Sequence, residues 1–324
     1  MNVPRPNAPQ SLRPAVSGII GEAAADRFSL ADISPTMAIT PQACSCEGQK
    51  PCTCGKGSPQ SYIYAIGGIR AVFPSLSVEK EFYQAVDQID SIKPPSKTLI
   101  FDTLSRAENL YIAREMCWVL QGVVAGSTDY FIVKPRSYNE LTGLIESIAP
   151  RPPDEIDFDL VVGLRGPLAS PEMCNGLRLP IVVCTEAFDF TNQEIIKAIT
   201  SSIAGGTTDK ATDIFWSIIK LTNNTGDTDD YRAINFLATR YLGLYRTTYL
   251  LKYPTLINQE SFSLLRVVAQ PASVQGTRKI LDVILTYHGA TSNVALQWYC
   301  SVDVTSLFPS LVTPMTRYYG YYQA

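Results

Sequence analysis

Residues 61–74 read SYIYAIGGIRAVFP, a run of aromatic and β-branched side chains interrupted by a glycine pair. Such residues suit a pleated, half-buried surface, so the stretch predicts a β-strand, bent or bulged at Gly67 and Gly68. It also marks a change of texture. Residues 1–60 contain Pro4, Pro6, Pro9, Pro14, Pro35, Pro41, Pro51 and Pro59, with many small residues and no sustained apolar period, a linker-like composition. Within that arm, Phe28, Leu30 and Ile33 recur at roughly helical spacing and predict at most one short turn. The chain therefore divides into an irregular Pro-rich, Cys-containing arm over 1–60 and a folded unit over 61–324.

Downstream of the opening strand, SVEKEFYQAVDQI predicts a helix with Ser77 as N-cap. Residues 97–122 place Leu104, Leu110, Ala113, Cys117 and Leu120 on one stripe and end at Gly122, which predicts one long helix. Strands are expected at DYFIVKP, DFDLVVGLRG and LPIVVCTEAF, with the helix SYNELTGLIESI between the first two, an order that admits a crossover connection. Helices follow around 208–222 and 228–252, the second with Ile234, Leu237, Tyr241 and Tyr245 on one face. Three β-patterned stretches close the chain, SFSLLRVVAQP, TRKILDVILTYHG and NVALQWYCSVDV, the last two separated by hairpin-like turn residues including Gly289 and Asn293. The reading is α+β, a mainly antiparallel sheet packed with helices.

The chain has 324 residues, 46% of them apolar, enough for one large or two modest cores. A net charge of −3 with 18% charged residues gives no basic stripe, which argues against nucleic acid as a partner. No apolar run of about 18 residues is present, so a membrane span is not expected. The N-terminus lacks a basic start followed by an apolar segment, and the expected location is the cytoplasm. There the eight cysteines read first as metal ligands, reactive groups or buried hydrophobes, and only then as disulfides.

Four stretches taken together, SYIYAIGGIRAVFPSLSVEKEF, LVVGLRGPLASPEMCNGLRLPIVV, DYRAINFLATRYLGLY and GTRKILDVILTY with the later VDVTSLFPSLVTP, carry a resemblance. They are similar to the C-terminal region that follows the subtilisin-like protease domain in PatG-type proteins of cyanobactin maturation. The similarity spans nearly all of 61–324. It implies a setting among enzymes that cut and macrocyclise ribosomal precursor peptides, with a precursor peptide or the maturation protease as partner. The family's Asp/His/Ser triad does not carry over, because the chain has a single histidine, His288, and no recognisable protease domain before residue 61.

Cys44, Cys46, Cys52 and Cys54 form C-x-C-x5-C-x-C. Four thiolates could surround one zinc ion if Gly48 and Pro51 turn the chain back, and with all four positions filled by protein such a zinc would be structural. Cys/Gly-rich stretches are common at this position in the resembling family. The competing readings are a linker with reactive or adventitious thiols, and disulfides.

In GLRGPLASPEMCNG, Arg165 and Asn175 are candidate ligand-binding residues, since a guanidinium pairs well with a carboxylate such as a peptide terminus. Glu172 and Cys174 could act as base and nucleophile with His288 brought near by folding. The bland alternative is a rigid turn that Arg165 holds to its neighbours. Cys117, Cys184, Cys300, Trp118 and Trp298 read as core residues. The tail TRYYGYYQA, with Tyr318, Tyr319, Tyr321 and Tyr322, either packs on the sheet or engages a partner. The function expected is a non-catalytic binding or scaffolding module in peptide maturation. The alternatives are a peptide-modifying enzyme using Arg165, Glu172 and Cys174, and a modified substrate protein with a tyrosine-rich tail.

Overall fold

A computed structural model describes residues 61–86, 94–123, 128–256, 259–273 and 276–319. The opening strand is β1 (Tyr62–Val72), and the glycine pair is where it changes partners. Tyr62 to Gly67 pair with β4 (Asp157–Leu168), whereas Gly68 to Val72 pair with β2 (Cys117–Gln121), both antiparallel. A Cβ on Gly67 would sit 2.0 Å from the Gln121 carbonyl oxygen, so only glycine lets the strands approach this closely. With β3 (Asp129–Lys134) and β5 (Pro180–Thr191), these strands close a barrel in the order β1-β2-β3-β5-β4. The expected crossover is there, since β3 and β5 pair in parallel and the connection between them runs through α4 (Tyr138–Glu146) and β4.

Alternation along β1 serves two cores. Ile63, Ala65 and Ile69 join Trp118, Leu120, Phe131, Val133, Val161 and Val182 in a core covered by α1 (Leu76–Ala85), α3 (Leu110–Glu115) and α4. Tyr64 and Ile66 face the other way with Phe158, Leu160 and Val162, into the core formed with α5 (Asn192–Ser201), α6 (Thr208–Ile219), α7 (Asp229–Arg240) and α8 (Leu242–Lys252). On the far side of those helices lies a second, antiparallel sheet, β6 (Phe262–Pro271), β7 (Ile280–Gly289), β8 (Ala295–Asp303) and β9 (Ser310–Arg317) in sequential order. The architecture is α+β, as expected. Its strands form two sheets rather than one.

Buried polar contacts lock α7 between the sheets. Asn235 Nδ2 donates to the Tyr64 carbonyl at 2.8 Å, and Tyr64 and Thr239 share a hydroxyl hydrogen bond at 3.1 Å. Arg232, only 1% exposed, donates to the carbonyls of Val304 at 2.9 Å and Leu307 at 3.3 Å. These residues come from the stretch DYRAINFLATRYLGLY, whose polar positions are thus spent on joining elements.

Several boundaries differ from expectation. The first helix begins two residues earlier, with Ser75 rather than Ser77 as N-cap, its hydroxyl accepting from the Val78 N–H. The long helix expected over 97–122 is α2 (Lys97–Leu104), a short 3-10 turn, α3, and then β2. Met116 turns to an extended ψ of 148°, and Cys117 to Leu120 are buried consecutively as barrel strand, so the apolar run is that of a buried strand and not of a helical stripe. The helix expected over 228–252 is broken at Tyr241, whose hydroxyl accepts from the Met315 N–H of β9 at 2.8 Å. Two elements were not foreseen. The helix α5 opens with a Thr191–Glu194 capping box, and β9 carries Pro314, which an edge strand tolerates.

Candidate functional site

The β4–β5 connection, where sequence placed its candidate residues, is built as a tie. Arg165 pairs with Asp227 at 2.6 Å. Glu172 is exposed ahead of a 3-10 turn, and Asn175 is exposed with a left-handed φ of 54° while its N–H donates to the Pro74 carbonyl at 2.9 Å. Cys174, at φ 50°, is buried and forms a disulfide with Cys117, 57 residues away in sequence. This corrects two expectations at once: Cys174 is no free nucleophile, and disulfides are not the last use of these cysteines. Spacing could not reveal the pair because folding alone brings β2 against this turn. His288 lies on β7 of the second sheet, beside Ser263 and Ala295, so the base, thiol and imidazole are not assembled. Cys184 and Cys300 are buried free thiols, each pushed up to about 12 by burial. Trp118 is buried and donates to the Ala113 carbonyl at 3.2 Å.

Cys44, Cys46, Cys52 and Cys54 lie outside the described residues. Among the described residues, no group of three or more His, Cys, Asp or Glu could hold a metal ion. In the tail, the Tyr318 ring meets Tyr299 edge-on at 5.6 Å and Tyr319 is 82% exposed, while Tyr321 and Tyr322 are outside the described residues.

A different place gathers chemistry. Where β1 leaves β4 for β2, the split opens beside a cavity of about 740 Å³. Pro150, Pro152, Ile156, Phe158, Trp216 and Ile219 supply apolar wall; Gly67, Gly68 and Gln121 bring strand backbone to it. Asp157 and Asp159 line it from alternate positions of β4, hence from one face of that strand.

Asp159 is 2% exposed, between the buried apolar neighbours Phe158 and Leu160 of its strand. Its Oδ2 accepts the Ile69 N–H at 2.6 Å, satisfying a backbone donor just beyond the point where the β1–β4 ladder ends. Its Oδ1 has no hydrogen-bond partner among the described residues. Burial pushes this carboxyl up to about 7, against the lowering influence of Ser147 and the Ile69 N–H. Arg151 clamps the rim, donating from Nε to Asp157 at 2.9 Å and from Nη2 to Asp189 at 2.8 Å. Burial raises Asp157 as well and outweighs its arginine; its Oδ1 is likewise unpartnered among the described residues. Sequence reasoning passed over this pair. The signal was present in DFDLVV, two carboxylates at i and i+2 in a stretch whose other four residues are apolar.

The family model described as the PatG domain matches residues 62–275, about two thirds of the chain. The chain belongs to the PatG domain family. A solved structure titled PatG Domain of Unknown Function shares its fold, with a TM-score of 0.63 at 16% identity, covering 80% of this chain and 98% of that one. No curated protein matches. The resemblance read from the four sequence stretches is borne out, and PatG-domain membership ties the chain to PatG-type systems. Among the described residues, no helix of this PatG domain is long and apolar enough to cross a membrane.

Proposed function

We propose that the chain is a non-catalytic binding module of ribosomal-peptide maturation and that the cavity beside the β1 split is its peptide seat. The observation that carries this reading is the cavity itself, about 740 Å³ of mainly apolar wall with two incompletely satisfied carboxylates at its floor. That is the composition of a ligand pocket, with apolar surface for affinity and a few polar groups for orientation. The described residues lining it include no cysteine or histidine to serve as a nucleophile or imidazole base. The N-terminal arm, if Cys44, Cys46, Cys52 and Cys54 close on zinc, would add a structural clip beside this module.

The test is to titrate a fluorescently labelled precursor peptide into the protein, follow anisotropy, and then weigh the peptide by mass spectrometry. Saturable binding with unchanged peptide mass supports a binding module. A mass change that persists with the protein as the sole catalyst overturns it in favour of a modifying enzyme. Metal analysis under reducing conditions decides the clip; the zinc reading predicts one zinc per chain, lost in Cys44→Ser with Cys52→Ser.

A further inference from the structure

We infer that the floor of the cavity takes a primary ammonium group, carried on an apolar peptide as its amino terminus or a lysine side chain. This rests on the peptide-seat reading and narrows it to a ligand chemistry.

The argument begins with unmet valence. Asp157 Oδ1 and Asp159 Oδ1 are both shielded from solvent and without a partner among the described residues. A buried acceptor left unpaired is costly, and a carboxylate more so. The two side chains project to the same face of β4, so one donor group with several hydrogens can address both. An ammonium has three N–H donors and no acceptor, which matches two oxygens that can only accept when ionised.

Charge points the same way. Arg151 divides its guanidinium between Asp157 and Asp189, so a single cation already serves two carboxylates. With Asp159 ionised, three carboxylates would share this one guanidinium and leave two negative charges in excess. Lys97 and Lys220 also line the cavity, but both are exposed, where solvent and salt screen them. The apolar wall of Phe158, Trp216 and Ile219 suits the body of a hydrophobic peptide and disfavours a small hydrated cation.

An ammonium ligand requires Asp159 to be ionised, and burial holds this carboxyl near 7. Asp157 on its own strand and Asp189 on β5 raise it further, Ser147 and the Ile69 N–H lower it, and Arg151, Glu155, Lys97 and Lys220 are the other charged groups nearby. Acidification below about 7 therefore weakens binding of the cation. A ligand held only by apolar contact is indifferent to the same change.

Calorimetry with three synthetic tripeptides tests the inference on the full chain: Val-Ile-Ala, its N-acetyl form, and N-acetyl-Val-Lys-Ala. The expected result is binding of an amine-bearing peptide at least about tenfold tighter than N-acetyl-Val-Ile-Ala, weakening by up to about tenfold per pH unit below 7. Binding by the free-terminus peptide alone assigns a terminus; binding by the lysine peptide alone assigns a side chain. Asp159→Asn, with its fold checked by near-UV circular dichroism, is expected to abolish the preference. Equal affinity for acetylated and free peptides overturns the ammonium assignment and leaves the peptide seat standing. Failure of all three to bind at millimolar concentration overturns both. The comparison of peptides on the unaltered protein decides the question even if the variant does not fold.

Discussion

At the scale of single residues, Asp159 has two duties that pull against each other. Its Oδ2 finishes the hydrogen bonding of β1 at Ile69, while its Oδ1 is buried without a partner among the described residues. The protonated form fits this place better, so the folded chain holds a proton more tightly than the unfolded chain, at about 7 against an ordinary carboxylate value of 3.8. Between those two values the native state binds more protons, and stability must fall as pH rises. The contribution is fully present below about 4, declines through neutrality, and is gone above about 7, a loss on the order of a few kcal/mol. Urea unfolding at pH 5 and pH 8 should show this slope in the native sequence. Asp159→Asn keeps an oxygen for Ile69 and does not titrate, so a variant whose slope is unchanged would remove Asp159 as its source.

At the scale of elements, β1 decides where that carboxylate and cavity stand. The strand serves β4 with its first half and β2 with its second, and the exchange depends on backbone approaching backbone at Gly67. A methyl there meets the Gln121 carbonyl at 2.0 Å, whereas a methyl on Gly68 has the Gln121 Nε2 at 3.8 Å as its nearest neighbour. Gly67→Ala is therefore expected to cost about 3 kcal/mol or more through forced separation of the strands, and Gly68→Ala less than about 1 kcal/mol. Chemical denaturation of the two variants side by side checks this, and equal costs would contradict it. The place of this exchange was legible in the sequence as a glycine pair inside a β-pattern. The strand β2 was not, because CWVLQ buries its residues consecutively and lacks the alternation that separates strand from helix.

At the scale of the whole molecule, the described residues build two large cores and a smaller cluster around Cys117 and Cys174. The helices α5–α8 join the barrel to the second sheet through one shared core, with Arg232 and Asn235 as polar ties. The linker-like, Pro-rich composition of residues 1–60 predicts that a chain beginning at Ser61 unfolds in one cooperative transition with the denaturation midpoint of the full chain. A lower midpoint or a second transition in the full-length protein would show that residues 1–60 belong to the folded unit.

The sequence by itself determined the α+β class, most strands and helices, the texture change at Ser61 and the family. All of these rest on local pattern: side-chain period, capping residues, and ordered motifs. Tertiary structure decided what those residues are for. Cys174 meets Cys117 across 57 positions, Arg165 is engaged by Asp227, and His288 stands on another sheet, which dissolves the constellation suggested by the β4–β5 connection. The same folding places Asp157 and Asp159, inconspicuous in a strand, in a cavity lined by five separate segments of chain. Burial and proximity give these side chains their chemistry, and both are properties of the folded chain.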